Sequence, residues 1–139
     1  MRIFIDTNVL IDLLCEREGY EQAGHILALS DNPQCALYTS VLSIANLAYI
    51  LRKTLKGKAL YQALNKLSNR LNISPMTQES FERALLLEAS GFEDALQYYS
   101  ALQADCEVIV TRNKKDFKFS EITVSSPDEF LVQFLPFSK

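Results

Sequence analysis

The fold of this chain is set at residues 3–8, Ile3-Phe4-Ile5-Asp6-Thr7-Asn8, where a short apolar run meets three small polar residues. Isoleucine and phenylalanine favour strands, and three of them in a row are typical of a buried strand. Asp, Thr and Asn favour turns and helix starts, where their side chains bond free backbone N–H groups. The stretch therefore predicts a buried strand that leads directly into a helix over residues 9–14.

The rest of the chain repeats this alternation of strands and helices. Gly91 is interpreted as the C-terminal cap of a helix over residues 78–89. Strands that alternate with helices of similar length indicate a parallel sheet covered by helices on both faces. The other predicted strands are residues 35–39, 71–74, 107–110 and 122–124, and the other predicted helices are residues 20–30, 58–68, 94–104 and 127–135, with a long helical region from Ser40.

Length and composition bound the class of protein. The 139 residues, 48% hydrophobic and 22% charged, predict one globular domain over residues 1–139. Cys15, Cys35 and Cys106 form no C-x-x-C pattern, which predicts reduced thiols in a cytoplasmic protein. We expect neither a signal peptide nor a membrane span. The net charge of −3 argues against a general nucleic-acid binder, so contact with any polyanion would depend on local basic patches and bound cations.

Polar residues follow the predicted strands at the points where those strands end. Asp6 comes directly after the first strand, Asn46 lies on the helix after the second, Glu93 and Asp94 open a helix, and residues 111–116 follow the fourth strand. In open α/β sheets ligands bind beyond the carboxyl ends of the strands. We therefore expect these four segments to converge on one edge of the sheet.

Four blocks of the sequence resemble the PIN-domain nucleases, and within them the VapC-like toxins. The blocks keep the order and spacing of that family and extend over nearly the whole chain. They are Ile5-Asp6-Thr7-Asn8-Val9-Leu10, residues 40–47, Phe92-Glu93-Asp94-Ala95 and Val110-Thr111-Arg112-Asn113-Lys114-Lys115-Asp116-Phe117.

The resemblance implies a fold and an activity. The implied fold is a three-layer α/β/α sandwich around a parallel sheet of four or five strands. The implied activity is hydrolysis of RNA by an endoribonuclease that uses Mg²⁺ or Mn²⁺, with an antitoxin protein as partner and a homodimer as a common assembly. The sequence departs from the family pattern at Asn46 and Asn113, two positions that are usually acidic, and both changes weaken metal binding.

The resemblance also implies a role for each residue of the acidic site. Clustered carboxylates about 4 Å apart repel by roughly 4 kcal/mol at an effective dielectric near 20, so the cluster needs a cation or protons. Carboxylate and amide oxygens suit Mg²⁺ or Mn²⁺. By this resemblance Asp6 and Asp94 are metal ligands, and Asp116 is a ligand or a group that orients metal-bound water. Asn46 and Asn113 are neutral ligands or hydrogen-bond donors to phosphate. Thr111, Asn8 and Glu93 make supporting contacts: Thr111 holds the rotamer of Asp6, and Glu93 can replace a missing acid.

Two basic clusters are candidates for phosphate contact. Arg112, Lys114 and Lys115, with Lys118 nearby, adjoin the expected acidic site and are predicted to bind RNA. The second cluster, residues 52–58, is interpreted as a solvated helix face.

Several alternatives stay open from the sequence. Asp6 and Asp94 could each act as a helix cap or balance a helix dipole, and Asp116 could be a turn residue. A PIN-like domain that has lost cleavage could serve as an RNA-binding or protein-binding module. A fold related to receiver domains is a weaker alternative, because the sequence lacks clear paired acids after the first strand and a lysine after the last one.

Overall fold

The computed structural model describes residues 1–138, and the side chains of residues 1–134. Five strands form one sheet, and helices connect them. The strands are β1 (Arg2–Ile5), β2 (Ala36–Ser40), β3 (Asn72–Ser74), β4 (Val108–Val110) and β5 (Thr123–Ser125). The helices are α1 (Thr7–Leu14), α2 (Tyr20–Ala28), α3 (Val41–Leu51), α4 (Lys58–Ser68), α5 (Gln78–Leu87), α6 (Phe92–Gln103) and α7 (Pro127–Ser138), with short 3-10 helices at Leu29–Asp31 and Lys114–Phe117.

The sheet is parallel throughout, with the strand order β3-β2-β1-β4-β5. The prediction of a parallel sheet of four or five strands is thus confirmed. The chain leaves β1 on one side for β2 and β3 and later returns to the other side for β4, so the order reverses between β1 and β4. A reversal of this kind opens a crevice at the carboxyl ends of the two strands. The receiver-domain alternative is wrong, because that fold has the order 2-1-3-4-5.

Alternate residues of the central strands supply a separate core to each face of the sheet. Ile3 and Ile5 point into the core formed with α1, α2, α3, α4 and α7. Phe4 and Ile109 point into the second core, formed with α6 and the 3-10 helix at Lys114–Phe117. Helix α5 packs against α6 on this second side. The arrangement confirms the three-layer α/β/α sandwich, and its central strands are buried on both faces.

The interpretation of Gly91 as a C-terminal cap is wrong. Helix α5 already ends at Leu87, where Glu88 adopts the left-handed conformation with a φ of 50°. Gly91 is extended, with φ −111° and ψ 101°, and it directly precedes α6. Helix α6 begins at Phe92, two residues earlier than predicted, so Glu93 and Asp94 both fall in its first turn and complement the helix dipole.

Two further observations concern the class of protein. Within residues 1–138 no helix has the length and apolar character that crossing a membrane requires. The three cysteines are free, and burial raises the pKa of the Cys106 thiol to about 12. A thiol with such a pKa is inert at neutral pH.

Candidate metal centre

A pocket of about 440 Å³ opens at the carboxyl ends of β1 and β4, where the strand order reverses. All three aspartates predicted to hold a metal line it, together with four of the residues predicted to support them. Thr111 lies behind the pocket, within hydrogen-bond distance of Asp6. The predicted residues that line the pocket are Asp6, Asn8, Asn46, Glu93, Asp94, Asn113 and Asp116.

Asp6 is fixed at the end of β1 by four hydrogen bonds. Its Oδ1 accepts from the backbone N–H of Thr7 at 2.8 Å and from Gln97 Nε2 at 3.3 Å. Its Oδ2 accepts from Thr111 Oγ1 at 2.8 Å and from Asn8 Nδ2 at 3.3 Å. The bond to Thr7 caps α1, so the capping role and a position in the pocket are compatible. Burial raises the pKa of Asp6 above its ordinary value, although the hydrogen bonds from Thr111, Thr7 and Gln97 act in the opposite direction.

Asp94 enters the pocket from the first turn of α6. Its pKa rises from 3.8 to about 6, first because burial disfavours the charged form. The negative charges of Asp6, Asp116 and Glu93 raise the pKa of Asp94 further. Four carboxylates from three parts of the chain therefore act on one another electrostatically. The pocket holds an excess of negative charge that a cation would relieve.

Gly91 has no β-carbon, and the carboxylate of Asp94 occupies the space that one would fill. A Cβ built on Gly91 would lie 2.5 Å from Asp94 Oδ2, which is far inside van der Waals contact. The backbone of Gly91 is in a region open to any residue. The glycine is therefore needed for the position of the Asp94 carboxylate, and its backbone conformation would admit other residues.

We expect Gly91→Ala to lower any metal-dependent activity about tenfold or more while the protein stays folded. The new Cβ forces the Asp94 carboxylate to rotate away, and displacements of this size at a reacting centre have large effects. The free energy of unfolding should fall by at most about 1 kcal/mol, since alanine is a poorer residue than glycine before a helix. Melting curves measure the change in stability, and activity assays over a range of Mn²⁺ concentrations measure the loss of activity.

Gly24→Ala is the matched control for that variant. Gly24 lies in helix α2, and a Cβ there would be 3.7 Å from Leu13 Cδ1, an ordinary van der Waals distance. Activity in this control should equal that of the wild type. Equal activity in Gly91→Ala would contradict the role assigned to the missing β-carbon.

Sequence reasoning missed Gln97, which is buried behind Asp6. Its Nε2 donates to Asp6 Oδ1 at 3.3 Å and to Ser43 Oγ at 2.5 Å. Its Oε1 accepts from the hydroxyl of Ser40. The signal available in the sequence was spacing, because Gln97 follows Asp94 by three residues and so lies on the same face of α6. The amide connects Asp6 to the start of α3 and restrains the carboxylate from the protein side.

Three further polar residues of the pocket are exposed and offer oxygen or amide groups at its mouth. Asn46 projects from α3, while Asn113 and Asp116 belong to the loop and 3-10 helix after β4. The backbone N–H of Asn113 donates to Thr111 Oγ1 at 3.1 Å, which ties this loop to the hydroxyl that also bonds Asp6.

The donor set of the pocket fits a hard divalent cation in an open site. Among the described residues, no three His, Cys, Asp or Glu side chains already surround a common point closely enough to hold an ion. Mg²⁺ is commonly held by one or two carboxylates, with water and substrate oxygens completing its shell. Asp6 and Asp94 provide such carboxylates, and burial, followed by the neighbouring negative charges, raises the pKa of Asp94. A preformed cage of three acids is therefore unnecessary.

Two of the basic residues predicted to contact RNA are paired with acids of the protein itself. Arg112 Nε lies 2.7 Å from Asp12 Oδ2, and Lys114 Nζ lies 3.0 Å from Glu129 Oε1. Lys115 is exposed on the 3-10 helix. Asp12 is a second residue that sequence reasoning missed, and it is almost fully buried.

Comparison with known proteins gives a family match and a set of similar folds. A family model described as "PIN domain" matches residues 2–115. No curated protein matches the chain significantly. Solved structures do, and three of them represent the set.

The VapBC-1 structure of nontypeable Haemophilus influenzae has a TM-score of 0.72 at 20% identity, covering 92% of this chain and 99% of the other. A toxin-antitoxin complex from Klebsiella pneumoniae has a TM-score of 0.66 at 28% identity, covering 90% and 97%. Mycobacterium tuberculosis VapC20, described as a sarcin-ricin loop cleaving toxin, has a TM-score of 0.64 at 18% identity, covering 87% and 98%. The similarity in each case extends over nearly the full length of both chains.

Proposed function

Because the chain belongs to the PIN domain family, we propose that it is a divalent-metal-dependent endoribonuclease and the toxin of a toxin–antitoxin pair. The observation that carries the proposal is the meeting of Asp6, Asp94 and Asp116 in one pocket at the switch point of the sheet. The M. tuberculosis relative supports the choice of a cleavable RNA target, because it is described as a toxin that cleaves the sarcin-ricin loop.

Asp6 and Asp94 would hold the cation, with Asp116 as a further ligand or as a group that orients water. A bound Mg²⁺ or Mn²⁺ would polarise the phosphodiester, promote ionisation of the attacking water and balance the charge of the leaving oxygen. It would also cancel the repulsion between the acidic pocket and the phosphate backbone.

The residues of the chain itself bind, orient and restrain. Thr111, Asn8 and Gln97 hold the Asp6 carboxylate in a single rotamer through their hydrogen bonds. Asn46 and Asn113 can donate amide N–H groups to phosphate oxygens without adding negative charge. Exposed Lys115 is the proposed basic contact to flanking phosphates.

We further propose an antitoxin partner, a homodimer and action in the cytoplasm. The similar structure from Klebsiella pneumoniae is a toxin-antitoxin complex, and the match covers 97% of the aligned chain of that complex. An apolar face of α5 supports the homodimer, since Phe81, Leu85 and Leu86 are 48%, 52% and 82% exposed. Apolar surface of this kind commonly marks a contact with another protein. The three free cysteines accord with the reducing cytoplasm.

Metal removal is the direct test of the proposed activity. We expect purified protein to cut structured RNA in millimolar Mn²⁺ or Mg²⁺, and chelator to abolish the cutting. Asp6→Asn keeps an oxygen to cap α1 but removes the charge, so it should reduce the rate at least about a hundredfold. Asp31→Asn, at an exposed acid of a remote ion pair, is the control and should cut normally. Equal residual cutting by wild type and Asp6→Asn would indicate a contaminating nuclease and contradict the proposal.

Asn46 and Asn113 favour a second candidate function. With amides at two positions where the family usually has acids, the pocket has a lower charge and a weaker hold on a cation. A protein of this kind could bind RNA or a protein partner without cleaving. Restoring the acids separates the two candidates.

A further inference from the structure

The segment after β4 brings Asn113 and Asp116 to the pocket, and its position depends on helix α1. Phe117, which is 2% exposed, anchors the far end of the segment in the second core. Lys114 pairs with Glu129 on α7. At the near end, the backbone N–H of Asn113 donates to Thr111 Oγ1, and Arg112 contacts α1.

Two residues on the same face of α1 contact Arg112. Asn8 and Asp12 are four residues apart, so their side chains lie one above the other. Asn8 Oδ1 accepts from the backbone N–H of Arg112 at 3.2 Å. Asp12 Oδ2 forms an ion pair with the Arg112 guanidinium, 2.7 Å from Nε. Arg112 is thus held by its backbone and by its side chain at once.

The ion pair is strongly constrained because its acidic member is buried. Asp12 is 2% exposed, and its Oδ1 has no hydrogen-bond partner within residues 1–134. A buried carboxylate without a counter-charge is strongly unfavourable, and Arg112 exerts the larger of the two favourable charge effects on Asp12, ahead of Arg17. The guanidinium, and with it the start of the segment, has little freedom to move away.

We propose that Asp12 and Arg112 form a clamp that positions Asn113 and Asp116 toward Asp6 and Asp94 and thereby sets the affinity of the pocket for a divalent cation. The inference deepens the proposed function and rests on it. Asp12 and Arg112 are positioning residues, since they act through the segment that carries Asn113 and Asp116.

The surroundings of Arg112 argue against a direct contact between its guanidinium and RNA. Arg112 lines a neighbouring pocket together with three acids, Asp12, Glu18 and Asp128. Three carboxylates beside one guanidinium repel a phosphate. The sequence-based prediction of an RNA contact at Arg112 remains the competing explanation, and the experiment separates the two.

The test removes both members of the clamp together, in Asp12→Leu/Arg112→Met. Replacing a buried ion pair by apolar side chains of similar size commonly preserves folding. We expect a melting temperature close to that of the wild type. Calorimetry without RNA should show Mn²⁺ affinity about tenfold weaker. In cleavage assays kcat should fall at least as much, while KM for RNA stays unchanged. Arg112→Lys, which keeps Asp12 compensated, should give an intermediate Mn²⁺ affinity.

Asp31→Leu/Arg70→Met is the matched control, because it removes an exposed ion pair of 2.9 Å that lies outside the pocket. Its Mn²⁺ affinity should equal that of the wild type. Wild-type Mn²⁺ affinity in both clamp variants would overturn the inference. So would a raised KM with an altered salt dependence at unchanged Mn²⁺ affinity, which would identify Arg112 as an RNA contact. If the wild type binds Mn²⁺ but cuts no RNA, the proposed function fails, and the Mn²⁺ affinities of the variants still test the clamp. If the wild type binds no Mn²⁺, both the proposed function and the clamp are contradicted.

Discussion

Asp94→Asn should lower the rate of RNA cleavage about a thousandfold or more and at the same time stabilise the metal-free protein. Cleavage is lost because a charged cation ligand becomes a neutral amide. Stability rises because the carboxylate of Asp94 is partly buried among the charges of Asp6, Asp116 and Glu93. Asp94 would then support cleavage and lower the stability of the folded protein, a combination that is common in active sites.

The pH dependence of that stabilisation follows from the raised pKa of Asp94. A carboxyl whose folded pKa of about 6 exceeds its unfolded value of 3.8 favours folding fully below pH 3.8. This contribution is lost as the pH rises through about 6. Asp94→Asn has no such group, so its advantage over the wild type should grow between pH 4 and 6.5 and then level off. Solvent screening at a partly exposed carboxyl limits the advantage to about 1 kcal/mol, or about 3 to 5 °C in Tm.

Thermal melts in chelator at several pH values, with and without added Mn²⁺, measure these effects. The wild type should be stabilised by Mn²⁺ through mass action, and Asp94→Asn should gain much less. Glu121→Gln removes one exposed charge at a residue that does not line the pocket and is the control. A variant that is less stable than the wild type at pH 7 in chelator would contradict the view that the pocket carries excess negative charge.

The positions of the pocket aspartates could be predicted from the sequence because they follow from simple rules. Asp6 directly follows an apolar strand, and the carboxyl ends of parallel strands meet at one edge of a sheet. Asp94 stands in a recognisable block at the start of a helix. For both residues, the local pattern and the family resemblance point to the same edge of the sheet.

The residues that were missed or misinterpreted depend on contacts that no local pattern contains. Gln97 reaches Asp6 across 91 positions of sequence. The local pattern indicates a helix cap at Gly91 because glycine is common there, yet its neighbour in space, the Asp94 carboxylate, explains the glycine. The sequence predicts an RNA contact at Arg112, which stays a prediction, but it gives no sign that the fold brings the buried acid Asp12 against Arg112.

Restoring acids at both amide positions should strengthen metal binding more than any other change considered. In Asn46→Asp/Asn113→Asp, two exposed amides of the pocket become carboxylates of nearly the same shape. Each added charge near a dication at an effective dielectric near 20 is worth several kcal/mol before dehydration is subtracted. We expect Mn²⁺ affinity to rise at least about tenfold per acid, or roughly 1.4 kcal/mol each. The metal-free protein should become less stable, the reverse of Asp94→Asn, because repulsion in the pocket increases.

The same double variant separates the two candidate functions. Calorimetry of Mn²⁺ binding and cleavage of structured RNA are measured on wild type and variant side by side, with Asn65→Asp on an exposed face of α4 as the control for added charge. A working nuclease already binds Mn²⁺ and cuts RNA before the change, so the variant improves on an existing activity. If only the variant binds Mn²⁺ and cuts, the natural amides have disabled the site, and the wild type acts as a binding module. If neither protein binds Mn²⁺ at millimolar concentration, the pocket is not a metal centre, because two further carboxylates would have sufficed to create measurable affinity in a site with the right geometry.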